Sequence, residues 1–201
     1  MSFRAMRLAF ASLVVFVSGC ALTTERIDLT YTPQINPVPV QGSSEVTVAV
    51  EVIDNRADKT KVSSKKNGYG MEMAPILANE DVSMTVRKAM EAELRNRGFR
   101  LGEETAIVRV VADLTRFYND HKMGFFSGDA VADLSLSVQV KSKDGQVSYV
   151  RQILAQGTEP NTQLATGNNA RLALDKALQE GMRKLFSDDE FIAALTKASA
   201  H

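Results

Sequence analysis

Between residues 129 and 142 the chain repeats with a period of two. Ala130, Ala132, Leu134, Leu136, Val138 and Val140 fall on one side, and Asp133, Ser135, Ser137, Gln139 and Lys141 on the other. Only an extended strand puts every second side chain on one face, so the stretch is a strand with one face buried and one in water. Asp144-Gly145 follows, a dipeptide suited to a tight hairpin turn. A second strand over 146–157 therefore returns antiparallel, with Tyr149 and Ile153 facing one way and Val150 and Leu154 the other. Whatever else folds must cover the apolar face of this hairpin.

Two helical patterns are available to do so. Val82, Val86, Ala89, Met90 and Leu94 make one stripe within 79–97. Asn79 suits its N-cap and Gly98 its C′ position. Ala170, Leu174, Ala177, Leu178, Gly181, Met182 and Leu185 make a second stripe within 167–186. Ser187 to Glu190 reads as a capping box that opens a short helix through Ala198. Residues 45–54 (EVTVAVEVID) and 105–118 are two further strands, the latter with Ala106, Val108, Val110, Ala112 and Leu114 inward. Residues 55–75 are polar and read as a long loop, of the kind that is functional or mobile. The expected fold class is α+β: an antiparallel sheet of about four strands, in the order β-α-β-β-β-α-α, with two long helices packed on one face.

The single cysteine fixes an address. Arg4 and Arg7 precede an apolar run from Leu8 to Val17, the layout of a secretory signal peptide. Ten residues make a helix of about 15 Å, half the thickness of a bilayer core, so the run is too short to span it. Val17-Ser18-Gly19-Cys20 resembles the bacterial lipobox. That resemblance implies a diacylglycerol on the Cys20 thiol, cleavage before Cys20, and an acyl chain on the new amino group. Ala21 stands where an inner-membrane lipoprotein carries Asp, which implies the outer membrane. The alternative is a soluble periplasmic or secreted protein with one free thiol beside an ordinary cleavage site, a liability in an oxidising compartment.

The organisation that follows is a signal peptide at 1–19, an acylated Cys20 with a Pro-rich tether to residue 44, and one periplasmic α+β domain over 45–201. A flexible coil of 24 residues would average about 25–30 Å end to end. The alternation of Ile27, Leu29 and Tyr31 offers a second reading, in which part of the tether adds a strand to the sheet. Arg4 and Arg7 leave with the leader, so 24 basic and 24 acidic residues become a net charge of about −2, which argues against nucleic acid.

The chain resembles the YajG-type uncharacterised lipoproteins of Gram-negative bacteria. The residues that carry the likeness are the lipobox, Asp54-Asn55-Arg56 after the first strand, and the helix end Glu93-Leu94-Arg95-Asn96-Arg97-Gly98-Phe99. The run 105–118 and the segment from Ala170 to Phe191, closing in Asp188-Asp189-Glu190-Phe191-Ile192, also fit. The resemblance covers nearly the whole chain, and it implies a location and a fold but no chemistry.

The sequence shows no clustered His/Cys set for a metal, no Gly-rich phosphate loop and no nucleophile elbow. Ser63-Ser64-Lys65-Lys66 matches S-x-x-K, but without its helix start or its partner motifs. His121 reads as a solvated histidine in the loop 118–128. The expectation is a non-enzymatic accessory or binding module with no cofactor beyond the covalent lipid on Cys20. Its partners would be the membrane, through that lipid, and an envelope protein or peptidoglycan. Asp54, Arg56, Lys65, Lys66, Tyr69, Phe125 and Phe126 are the candidate partner-binding residues, with Met71 and Met73 beside them. The alternatives are a lipid or glycan carrier, which needs a deep apolar cavity, and a peptidoglycan-acting hydrolase, which needs polar groups converging on His121 or Ser63.

Overall fold

The computed structural model describes residues 23–35, 37–124 and 127–197. The leader, Cys20, Phe125 and Phe126 lie outside them.

The period-two hairpin is the centre of the molecule. Strands β6 (Val108–Met123), β7 (Gly128–Ser142) and β8 (Val147–Thr162) form an antiparallel meander. Strand β2 (Thr47–Asp54) joins β6, and a short β5 (Arg100–Leu101) completes a five-stranded sheet in the order β5-β2-β6-β7-β8. Its apolar face is closed by three helices: α1 (Val82–Asn96), α2 (Gly167–Phe186) and α3 (Asp189–Lys197).

The expected wholly antiparallel sheet of about four strands is corrected in two respects. First, β2 runs parallel to β6, with Val48 opposite Val108 and Asp54 opposite Leu114. The helix α1 between them carries the chain back across the sheet, and a crossover of that kind returns a strand in parallel. Second, 55–75 is not a structureless loop. Strands β3 (Ser63–Lys66) and β4 (Glu72–Ala78) form a hairpin, and β1 (Glu25–Ile27) pairs parallel with β4 in a second, three-stranded sheet. The Asn67 carboxamide oxygen accepts the N–H groups of Tyr69 and Met71 and turns the chain between β3 and β4. Ser-Ser-Lys-Lys has no apolar alternation, so this strand carries no period-two signal of its own.

The smaller sheet finds its place through a bulge. The β6–β7 register shifts between Leu114 and Arg116, leaving Thr115 as the extra residue. Before it Val108, Val110, Ala112 and Leu114 are buried, and after it Phe117, Asn119 and His121. β2 ends at the bulge, where the Asn55 N–H meets the Leu114 carbonyl. Beyond it the Asn119 N–H donates to the Val62 carbonyl at 2.8 Å, so β3 takes over the edge that β2 vacates.

The helices begin where side chains cap them. Asp81, not Asn79, caps α1 by accepting the Ser83 N–H at 2.8 Å, while Asn79 donates its side chain to Asp28. Thr166 caps α2 through the Asn169 N–H. Asp188, not Ser187, opens α3 by accepting the Glu190 N–H, because Ser187 is still closing α2. α2 lies very close on the sheet. A Cβ on Gly157 of β8 would fall 2.1 Å from the Ala173 carbonyl oxygen, and one on Gly181 would fall 2.3 Å from Leu134 Cδ2.

The Pro-rich stretch lies along this body. Ile27 is buried in the core. The Thr30 N–H and hydroxyl donate to the Asp175 carboxylate on α2. The Tyr31 hydroxyl and the Gln34 N–H donate to Glu93 on α1, and the Val40 N–H donates to the Arg97 carbonyl. Of the two readings of this stretch, a strand does form, but over Glu25–Ile27 and in the smaller sheet.

Candidate functional site

The chain leaving β2 carries most of the candidate residues. Asp54 and Arg56 face each other across the turn. Arg56 Nε donates to Asp54 Oδ1 at 3.0 Å and Nη2 to Oδ2 at 2.9 Å, a two-pronged pair. Burial pushes the Asp54 carboxyl up, but the Arg56 hydrogen bonds and charge outweigh it and hold the group below the usual carboxylate range. The rest of the buried guanidinium faces the carbonyls of Lys59, Lys61 and Phe117 at 3.4 Å. Arg56 thereby ties the 55–62 segment to β6. The pair lines an open cleft of about 360 Å³ together with Lys59, Lys61 and the start of α1 at Asp81 and Val82.

The β3–β4 hairpin continues the site. Lys61 donates to Glu72 at 2.6 Å and to Ser64, and Tyr118 donates to the same carboxylate at 3.2 Å. The Lys61 bond holds Glu72 below its ordinary range, and the same bond raises Lys61. Lys65 pairs with Glu25 of β1 at 3.2 Å, and Lys66 pairs with Asp120 of β6. Beyond these lysines the hairpin tip is bare: Tyr69 is 92% exposed and Met71 59%. The structure thus splits the predicted residues into an anchored base (Asp54, Arg56, Lys65, Lys66) and a free tip at Tyr69.

One polar group escaped the sequence reading. His121 is not a loop residue. It lies in β6 at 4% exposure, opposite Ala130, and no protein group hydrogen-bonds to either ring nitrogen. Burial, then the Lys66 charge, lowers its pKa against the opposing pull of Asp120, and the net shift favours the neutral ring. Beside it Asn119 donates to Ser63 Oγ at 2.9 Å, and both residues are fully buried. Ser63 belongs to a strand and its Oγ accepts a hydrogen bond from Asn119 rather than facing a base, so the S-x-x-K match has none of the geometry of an activated nucleophile. Phe117 was the available signal: it breaks the even-numbered parity of the strand and turns Asn119 and His121 inward. Among the described residues no group of three or more His, Cys, Asp or Glu side chains is arranged to hold a metal.

The chain is similar to known proteins along nearly its whole length. A model of a family of uncharacterized lipoproteins matches residues 33–196. The chain belongs to this YajG-type lipoprotein family. Among curated proteins nothing matches the lipoprotein. A crystal structure of a protein from Xanthomonas campestris is similar at a TM-score of 0.61 and 12% identity, over 88% of this chain and 99% of that one. A minor lipoprotein from Acinetobacter baumannii is similar at 0.39 and 11% identity, over 70% and 92% of the two chains. A lipoprotein from Neisseria meningitidis gives 0.37 and 11%, over 58% and 86%. At such identities the Xanthomonas structure supports the fold of the lipoprotein alone, and the two weaker likenesses add no weight. Among its described residues no helix is long and apolar enough to cross a membrane.

Proposed function

We propose that this lipoprotein is acylated on Cys20, held in the outer membrane and turned to the periplasm. There it acts as a non-enzymatic accessory module that binds another envelope component. The lipobox-like Val17–Cys20 and Ala21 support the anchor and its sorting. Two or three acyl chains, at about 0.8 kcal/mol per buried CH₂, give stable attachment where one would be marginal.

The observation that carries the binding role is the outer face of β8. This strand forms one edge of the sheet. Tyr149, Ile153 and Ala155 are buried beneath the helices, while Val150 and Leu154 stand on the opposite face at 61% and 57% exposure. Exposed β-branched and aliphatic side chains on an edge strand invite a partner strand or loop. The lysines of α2 shape the same edge, since Lys176 donates to the Thr158 carbonyl and Lys184 to that of Leu154. They tie down backbone carbonyls from Leu154 onward, and Arg151 pairs with Asp188 and Glu190 at the start of α3, but the side chains of Val147, Val150 and Leu154 stay exposed to a partner. A carrier role is disfavoured by the contact of α2 with Gly157 and Gly181, which leaves no room for an acyl chain between helix and sheet there.

Photo-crosslinking in intact cells tests the reading. A probe at Val150 or Leu154 should give a discrete protein adduct, and one at Lys88, exposed on α1, should give none. Equal, diffuse labelling at all three positions would remove the basis for the binding role.

A further inference from the structure

The anchor has a short leash, and its origin lies at one end of the molecule. β1 is parallel to β4, with Glu25 opposite Ile76 and Ile27 opposite Ala78. β4 in turn is antiparallel to β3, with Lys65 opposite Ala74 and Lys66 opposite Glu72. Going backwards from Glu25 therefore leads towards the β3–β4 turn and its exposed Tyr69 and Met71. The Lys65–Glu25 ion pair fixes that level. Cys20 is five residues before Glu25, and five residues fully extended reach at most about 17 Å. The hairpin projects by the same amount, because Ile76 to Met71 is also five residues. The long strands are far longer than the leash: β7 has 15 residues, about 46 Å from end to end.

A second loop reaches the same end. Thr162 at the close of β8 is opposite Gly128 at the start of β7. Leu164 follows at 70% exposure, just before the α2 start at Gly167, whose Cβ position lies against Glu25. Ser63 bonds to Asn119 and Lys66 to the His121 carbonyl, so β3 and β6 advance together and the β3–β4 tip projects alongside the end of β6. Tyr69, Met71 and Leu164 are thus bare apolar or amphipathic side chains on loops beside the origin of the leash. Ile35 and Val38 are exposed too, but they lead into Val40, which bonds to the far end of α1 at Arg97.

The geometry points to a lipid-contacting end: Tyr69, Met71 and Leu164 rest in the headgroup layer of the leaflet that holds the Cys20 acyl chains. The domain stands on this end instead of floating free above the surface. It rests on the acylation proposed above. A leash of 24 flexible residues would have left the domain free to tumble, whereas one of five holds an end with a projecting hairpin against the bilayer. Tyrosine suits this depth because its ring is apolar and its hydroxyl stays wet. Each side chain adds a small increment of buried apolar area to an attachment that the lipid already supplies.

Depth-dependent quenching tests it on the full acylated protein in vesicles of phosphatidylethanolamine and phosphatidylglycerol at 3:1. Y69C, L164C and K143C each add one free thiol, which takes a bimane label; Lys143 lies in the β7–β8 turn at the opposite end. Spin-labelled lipid is expected to quench the labels at 69 and 164 and leave the one at 143 bright. Mass spectrometry and vesicle flotation of the same samples separate the two ideas. An acylated protein that floats but shows equal, weak quenching at all three positions overturns the end-on contact alone. An unmodified Cys20 in a protein that does not float overturns the anchoring and the contact together.

Discussion

His121 shows how much one side chain can cost a fold. A buried imidazole to which the protein offers no hydrogen bond at either nitrogen carries a desolvation penalty of about 1–3 kcal/mol. Its pKa lies below the ordinary 6.5, so the unfolded chain takes up a proton before the folded one does. The folded state is then disfavoured as pH falls below about 6.5, and the loss grows down to the folded pKa. Urea midpoints should drop between pH 7.5 and 5.5, and less steeply in His121→Leu; parallel slopes would acquit the histidine. Glu93 is the opposite case. It is fully buried, yet Arg97, Tyr31 and Gln34 all donate to it. Burial and then the Glu93 hydrogen bond push the Tyr31 hydroxyl above its usual range, so it remains a donor.

At the scale of elements, the contact of α2 with β8 depends on one missing methyl group. In Gly157→Ala the new carbon meets backbone atoms of Ala173 and Ala177, which cannot rotate away. The helix must lift, at about 2–3 kcal/mol in urea denaturation. Gly145→Ala is the control. Its φ of +86° is strained for alanine but its surroundings are open, so the cost should stay near about 1–2 kcal/mol. A similar loss in both variants would mean that α2 gives way easily. The same elements show what was legible in the sequence. The limits of α2 and the strand β7 with its turn into β8 follow from strong single periods, 3.6 and 2, whereas the less regular β8 runs on past the expected 157 to Thr162. The smaller sheet does not, because Ser63–Lys66 has no apolar face to betray it and β1 pairs with β4 across about 50 residues of sequence. The bulge at Thr115 was hidden for a related reason: one extra residue reverses the parity, and a window of one parity reads the rest as loop. Of the candidate residues, Asp54 and Arg56 were visible as neighbours two apart, while Lys66–Asp120 and Lys65–Glu25 needed the fold.

For the whole molecule, the N-terminal stretch belongs to the body rather than to the anchor. Ile27 fills the core, Thr30 binds α2, and Tyr31 and Gln34 satisfy Glu93. A protein beginning at residue 42 should therefore lose more than about 3 kcal/mol, since it strips donors from a buried carboxylate and opens the smaller sheet. A free tether would predict no change in the urea midpoint, which makes the truncation decisive. With that stretch docked, the edge strand β8 and the hairpin tip occupy different surfaces. A partner on one and a leaflet under the other would not compete.

The parallel pairing of β1 with β4 has a mechanical side. A pull on residue 20 runs along β1 and loads its hydrogen bonds to β4 in shear, all at once, instead of peeling them one by one. Behind them Thr30 on Asp175 and Tyr31 on Glu93 come under tension in series. A cell envelope that tugs on such a protein would find a brake at its first strand and a reserve behind it.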